Sequence, residues 1–456
     1  MNASPNPTAG VSNTIAAFVA RTLWQDLPAP VRHEAKRALV NFLATALAGC
    51  RDPALLAANQ VFARFQAGSH CTVIGWPART DALHAASLNA MAGNVFDYDD
   101  THLPTIIHPT APVAPALFAL AQTQTMRGAD LLLAFVLGVE VECRIGNAIS
   151  PGHYQRGWHI SSTCGVFGAA AATARAMGLT EAQIVGALGN ASAQASGMVE
   201  TLGTSAKSIG MGNAAANGLM SAMLATEGFG GPPQPLEGAR GYLRVVGEPD
   251  FAAITTGLGA RWELMNNTYK PYPCGVVLNP VIEACLALHD EPGLEVAAIE
   301  RIEIKGHSLL RERTDRPPPR NGRESQVSAR HAVAVALVRG KAGLDEFSDA
   351  CVTDPAWRPT AERIGERIVF VDDNDYGVES ATVTLRLTGG AQRARHIAAA
   401  RGSLDAPLSD DDLTQKLTTL AAWGGSGCAA QPLLDALWSL DTCDDAGAVI
   451  ALAAGI

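Results

Sequence analysis

The sequence predicts a mainly α-helical fold: a large helical domain built from both chain ends, and a smaller α+β domain placed before the C-terminus. Three observations predict it. Hydrophobic residues make up 48% of the 456 residues but aromatics only 5%, so small aliphatic side chains, alanine foremost, supply the apolar surface and favour close-packed helices. Apolar residues recur at helical spacing through the first half of the chain. Near Trp262 the pattern changes to period two, and after Ser403 it returns to helical spacing. A chain of this length exceeds one ordinary core; the division expected is 1–261 with 403–456 against 262–402.

Taken in order, the first ten residues read as a polar tail, and Ser12 can cap a helix through Ile15, Phe18 and Leu23. After Pro28 and Pro30, Val31, Ala35, Ala38, Leu39, Phe42, Leu43 and Leu47 mark one face of a second helix that Gly49 can end. Further helices are expected from Pro53 to Ala67, Thr80 to Phe96, Thr110 to Gln124, Gly128 to Ala148 and Thr163 to Ala176. Two stretches, GVFGAAAATARAMG and GMGNAAANGLMSAMLA, are dense in glycine and alanine. Such residues let helix backbones approach closely, so both are expected to be buried seams, one of them open to use as a subunit interface. Ile299 to His307 and Ala381 to Leu387 alternate apolar and polar residues, as half-buried strands do. The glycines after Thr388 mark a hairpin that RARHIAAARG can complete. Ser328 to Gly340 and Leu344 to Cys351 read as helices between the strands. Ser409, before three aspartates, caps a late helix expected to rejoin the N-terminal domain.

Composition excludes several functions. A net charge of −10 with no basic block argues against nucleic acid. No apolar run reaches a membrane span; the uncharged stretch from His102 to Thr125 is interrupted by prolines and polar residues. The N-terminal residues have neither the basic segment nor the apolar run of a signal peptide. The nine cysteines fall in scattered apolar contexts without CxxC or Cys/His ligand spacing, which suits reduced, buried thiols in the cytoplasm. No GxSxG, HExxH, GxGxxG or GxxxxGK[ST] is present.

Four stretches concentrate functional groups. FDYDDTHLPTIIHPT holds Asp97, Asp99, Asp100, Thr101, His102 and His108. It is read either as a helix end with an Asx-type turn in which Asp100 or Thr101 caps the next helix, or as a site where a carboxylate fixes an imidazole. HxxxxxH in a proline-broken loop is poor zinc spacing. GHYQRGWHISST places His159 and its neighbours just before a helix expected from Thr163, a start suited to a carboxylate ligand. Lys207 lies in an otherwise uncharged stretch, in a loop expected to precede a helix, and so to face a pocket. NNTYKPYPCGVVLNP sets Tyr269, Lys270 and Tyr272 between prolines where the α+β domain begins, a common place for a ligand cleft.

Together FDYDDTH…HPT, GHYQRGWH with GVFGAAAA, the Lys207 loop running into GNAAANG, YKPYPCG and RGSLDAPLSDDDL resemble the MmgE/PrpD family along nearly the whole chain. That family includes 2-methylcitrate dehydratase, cis-aconitate decarboxylase and iminodisuccinate epimerase. The resemblance implies a helical domain with an α+β lid, a homodimer, a small polycarboxylate substrate, and no metal or organic cofactor. It implies catalytic roles for Asp97, His108, His159 and Lys207, and substrate binding by Thr101 and Lys270. Ser162 and Thr163 at the helix start, Tyr272, and His331 in the lid helix are further candidates for substrate binding. Two positions depart from the decarboxylases: His331 replaces a lid tyrosine, and Gly275 replaces a histidine soon after the lid lysine.

The shared chemistry is proton transfer at a carbon next to a carboxylate. Lys207 and Lys270 would take up the developing charge, an imidazole would move the proton, and Asp97 would orient it. A dehydratase of the 2-methylcitrate kind is the reading preferred from sequence. An epimerase, a decarboxylase and a non-catalytic helical binding protein are the alternatives.

Overall fold

The computed structural model describes residues 10–456, so the tail before Gly10 lies outside the described residues. The fold is mainly α with small sheets, as the sequence predicts. The helices Ala29–Gly49, Ala82–Asn94, Thr110–Ala121, Gly128–Ile149, Ile160–Ala176 and Ala206–Thr226 pack into one body. Their small residues are its seams. A methyl group added at Gly218 would lie 2.4 Å from Cβ of Ala169, and one at Gly138 would lie 2.7 Å from Cβ of Ala172. Both expected seams are thus used inside this chain. The late helix Asp410–Trp423, capped by Ser409 and Asp412 in a capping box, lies on Ala29–Gly49. Leu413, Leu417 and Leu420 join the helical core there.

Arg144 ties down the end of the helical body although it is almost wholly buried. It pairs with Glu140 at 2.5 Å, and its guanidinium donates to the carbonyls of Ile254, Thr256 and Arg261 at 2.8–2.9 Å. Fixing that turn sets the start of the chain segment that carries Lys270.

A second hydrophobic cluster gathers Ile299, Ile302 and Ile304, Ala381, Val383 and Leu385, and the helix Asn279–His289. Its sheet has the order Ile368–Asp372, Ile299–Gly306, Ala381–Leu387, Gln392–Ile397; the first pair is parallel and the others antiparallel. Trp262, Leu264, Tyr269 and Leu344 pack into the helical cluster instead.

Several local expectations are corrected. Ser12 is not a cap: the helix Val11–Arg21 follows Gly10, and Ser12 is buried with its hydroxyl donating to Glu237 at 2.5 Å. Its backbone N–H also reaches that carboxylate, which therefore serves the helix start. Leu344 to Cys351 is mostly turns, because Ser348 caps a short helix only at Asp349–Thr353. The stretch from Ser328 to Gly340 begins as the helix Ala329–Ala334, widens to a π-turn over Val335–Arg339, and ends at Gly340 with φ of 63°. The helix Glu181–Ser192 and the strand Ile368–Asp372 are additions, and the first has a capping box at Thr180 and Gln183. Among the described residues no helix is long and apolar enough to cross a membrane.

Candidate active site

Asp100–His102 is a short strand, not a capping turn. It pairs antiparallel with Asn267–Tyr269, with Asp100 opposite Tyr269 and Thr101 opposite Thr268. This pairing sets Lys270 beside the Asp97 segment. Asp97 itself ends the preceding helix in the left-handed region at φ of 51°, unusual for a residue with a side chain. Lys207 lies in the first turn of Ala206–Thr226, one turn earlier than expected, and His159 stands at the cap position of Ile160–Ala176.

The four segments meet around one carboxylate. Lys207 Nζ lies 2.5 Å from Asp97 Oδ1, and Lys270 Nζ lies 3.3 Å from Oδ2. Lys270 also donates to the Asp97 carbonyl at 2.9 Å. His108 Nε2 is 3.6 Å from Asp97 Oδ1. Its Nδ1 is 2.8 Å from the Asp100 carbonyl; a carbonyl only accepts, so Nδ1 carries the proton and Nε2 is the free nitrogen. The His108 backbone N–H donates to Ser161 Oγ at 3.0 Å. His159 Nδ1 bonds Ser162 Oγ at 2.8 Å.

These contacts explain the electrostatics. Burial would raise the Asp97 carboxyl, but Lys207, Lys270 and His108 hold it well below the ordinary carboxylate range. Burial, aided by Lys207 and His108, pushes the His159 imidazole down to about 3. Burial also lowers His108. The site thus presents a carboxylate between two cations, with neutral imidazoles at its edge. Behind it, burial lifts Asp100 to about 7 even though its Oδ2 accepts from Thr110 and Asn267.

Asp97, Thr101, His108, His159, Lys207 and Lys270 all line a cavity of about 620 Å³. Thr101 Oγ1 is buried there without a hydrogen-bond partner, so it is available to a ligand. The other four candidates do not line this cavity. Ser162 is occupied by His159, and Thr163 Oγ1 bonds His153 at 2.8 Å; Ser161 lines the wall in their place. Tyr272 lies half-buried away from the lining. His331 Nε2 bonds the Glu346 carbonyl at 2.7 Å and borders a separate cavity of about 250 Å³ with Trp357. Asp100 and His102 are held within the protein: His102 bonds Thr105 and Glu263, and Asp100 accepts from Thr110 and Asn267.

One set of donors could in principle hold a metal ion. Asp97, Asp99 and His108 bring ligand atoms within 4.8 Å of one another. Lys207 and Lys270 already set ammonium groups against the same oxygens, with Lys270 3.9 Å from Asp99 Oδ1. This donor set is better matched to ammonium than to an added cation.

Sequence reasoning missed Arg313, Arg316, Arg320, Arg323 and Gln326, which line the same cavity beside Tyr154. The signal was available: Arg311, Arg313, Arg316, Arg320 and Arg323 crowd one proline-rich stretch of an acidic chain. It also missed Lys416, buried beneath the site. Lys416 Nζ donates to Asn41 Oδ1 at 2.8 Å and to the carbonyls of Tyr98 and Lys270 at 2.9 Å each.

Comparison with known proteins follows the same lines. Residues 13–254 match the MmgE/PrpD N-terminal domain, and residues 272–441 match the MmgE/PrpD C-terminal domain. The cis-aconitate decarboxylase-like protein oryM of Aspergillus oryzae is 26% identical over 98% of this chain and 98% of its own length. The cis-aconitate decarboxylase of Aspergillus terreus is 25% identical over 99% of this chain and 97% of its own. That of Homo sapiens is 25% identical over 93% and 90% respectively.

Proposed function

This chain belongs to the MmgE/PrpD family, and on that footing we propose that it is a lyase that develops carbanion charge next to a carboxylate of a small polycarboxylic acid. The observation that carries this reading is the convergence of Asp97, His108, His159, Lys207 and Lys270 on one cavity. A carbanion beside a carboxylate is a high-energy, negatively charged species. Two ammonium groups fixed in a poorly solvated pocket stabilise that charge without reorganising. Asp97 holds both lysines in place before substrate arrives.

The imidazoles supply the proton step. His159 is neutral in the free site because burial and Lys207 oppose its charge. A bound polyanion supplies the opposite field, raises the imidazole towards neutrality and lets it carry a proton. Thr101 Oγ1, without a partner in the protein, binds a substrate oxygen.

Decarboxylation is the first reading, supported by relatives named cis-aconitate decarboxylase that span nearly the whole chain. Loss of carbon dioxide leaves the carbanion, and the site then needs one proton donor. Dehydration of a 2-methylcitrate-type substrate is the second. It needs both a base for the α-proton and an acid for the departing hydroxyl, and the two imidazoles, His108 and His159, suit that pair. Incubation with cis-aconitate, citrate, 2-methylcitrate and iminodisuccinate separates the readings. Decarboxylation releases carbon dioxide. Dehydration produces a new ultraviolet-absorbing double bond. Epimerisation in heavy water incorporates deuterium with neither change. His159→Ala and Lys207→Ala should each abolish turnover while the protein stays folded; full turnover in both would overturn the proposal.

A further inference from the structure

The part of the cavity lining formed by Arg313, Arg316, Arg320 and Arg323 carries more positive charge than the protein itself uses. Of its four arginines, Arg320 pairs with Glu324 at 2.7 Å, and Arg323 pairs with Asp52. Arg313 and Arg316 have no carboxylate partner among the described residues. The one cavity-lining acid left uncommitted is the exposed Glu200. Arg313 is the more constrained of the two free arginines. Its guanidinium lies over the Tyr154 ring, 4.6 Å from the centroid, and its Nε is buried without a hydrogen-bond partner. Arg316 Nε donates at 3.2 Å to the Arg313 carbonyl, which fixes that turn. Buried guanidinium N–H groups without acceptors are costly, and a planar fork set on an aromatic face suits a carboxylate held by two bonds. Beside this wall, Gly275 leaves open volume: a methyl group there would find only the Gln326 carbonyl, at 3.9 Å.

We propose that Arg313 is the specificity residue of this site, binding the carboxylate of the substrate farthest from the reacting carbon. The substrate is then an extended acid with carboxylates at both ends. One end lies at Lys207, Lys270 and Thr101, the other at Arg313 on its Tyr154 platform, and Gly275 leaves room for a substituent between them. This rests on the polycarboxylate reading above, and the test keeps the two apart.

The probe is tricarballylate, a saturated tricarboxylate that neither loses water nor decarboxylates readily, compared with its terminal monoamide. Binding to the full chain is measured by calorimetry. Wild type should bind the triacid at least about 10-fold more tightly than the monoamide. Arg313→Met should lose about 30-fold or more for the triacid and bind both probes alike. Arg313→Lys should fall between, since an ammonium keeps the charge but not the fork. Lys207→Met should weaken both probes while retaining discrimination. If wild type binds the triacid and Arg313→Met binds it equally well with an unchanged melting temperature, the role of Arg313 is refuted while the polycarboxylate reading stands. If wild type binds neither probe, both are refuted.

Discussion

Lys207 Nζ lies 2.5 Å from Oδ1 of Asp97, a residue 110 positions earlier in the chain. Lys270 takes the other oxygen of the same carboxylate, so one anion separates two cations, the buried Lys270 and the part-buried Lys207. Asp97→Ala would leave these facing each other and should cost about 3–5 kcal/mol of stability. Lys207→Met leaves the Asp97–Lys270 pair intact and should cost clearly less, while turnover falls at least about 100-fold. Urea unfolding and steady-state rates measure the two effects. The pH dependence has a definite sign. The folded Asp97 carboxyl lies below its ordinary value, so its stabilisation is complete above about pH 4, declines below that, and is gone once pH has fallen through the lower folded value. The stability gap between wild type and Asp97→Asn should therefore stay constant down to about pH 4 and then narrow.

His159 acts in the same direction but over a higher pH window. Its folded imidazole titrates at about 3, against about 6.5 in an unfolded chain. Between these values the unfolded chain binds the extra proton, so stability is whole above about 6.5 and declines as pH falls, by about 1.4 kcal/mol per pH unit from this group. His153 and His331, each pushed down to about 4 by burial, add to the decline. His159→Gln should shallow the slope of unfolding free energy between pH 6 and 4. Binding of tricarballylate near pH 6 should draw protons from a weak buffer, and the variant should draw fewer. Equal uptake by both would remove His159 from the proton step.

Lys416 supports the site from below. Its three donors satisfy Asn41 and the carbonyls of Tyr98 and Lys270, and its ammonium lies 3.8 Å from the centroid of the Tyr98 ring. Burial pushes its titration well down, yet three acceptors around one nitrogen favour the ammonium form. Lys416→Met should cost about 3 kcal/mol or more, because these acceptors lose their donor in a buried place. Turnover should fall through displacement of Lys270. Denaturant midpoints and kcat test both.

Much of the helical body and the identity of the central residues were legible, and the reasons for the gaps are physical. The helix 29–49 announces itself through seven apolar positions at helical spacing. The strand Asp100–His102 does not, because three residues give no period and its polar side chains suit a turn equally well. Its partner is supplied by residues 267–269, a tertiary choice invisible locally. Ser162 and Thr163 were the right residue types at a helix start, but their hydroxyls are taken by His159 and His153. Lys416 could have been flagged, since it falls on the apolar face between Leu413, Leu417 and Leu420, where a lysine needs a reason.

The glycine seam should be intolerant of volume. A methyl group at Gly218 would come within 2.8 Å of Ala170 N and 2.9 Å of Val166 O, both of them backbone. Gly218→Val should cost about 1–3 kcal/mol, read as a lower urea midpoint. Gly178, where a methyl group would meet nothing within 4 Å, has φ of 70°. Gly178→Ala should therefore destabilise through backbone strain, by about 1 kcal/mol or more.

Ammonium groups at the Asp97–Asp99–His108 donors predict that turnover survives exhaustive chelation. Loss of activity, restored by one divalent ion, would overturn that expectation.

Lys270 falls in the interval between the two stretches matched by the family models, 13–254 and 272–441. It is held by a strand pair on one side and by Lys416 on the other. The two halves are therefore not exchangeable modules. A chimera joining the first half of one relative to the second half of another would inherit a seam running through its most charged point. Recombination between such genes would be tolerated only where both parents carry compatible partners at Asp97, Asn267 and Lys416.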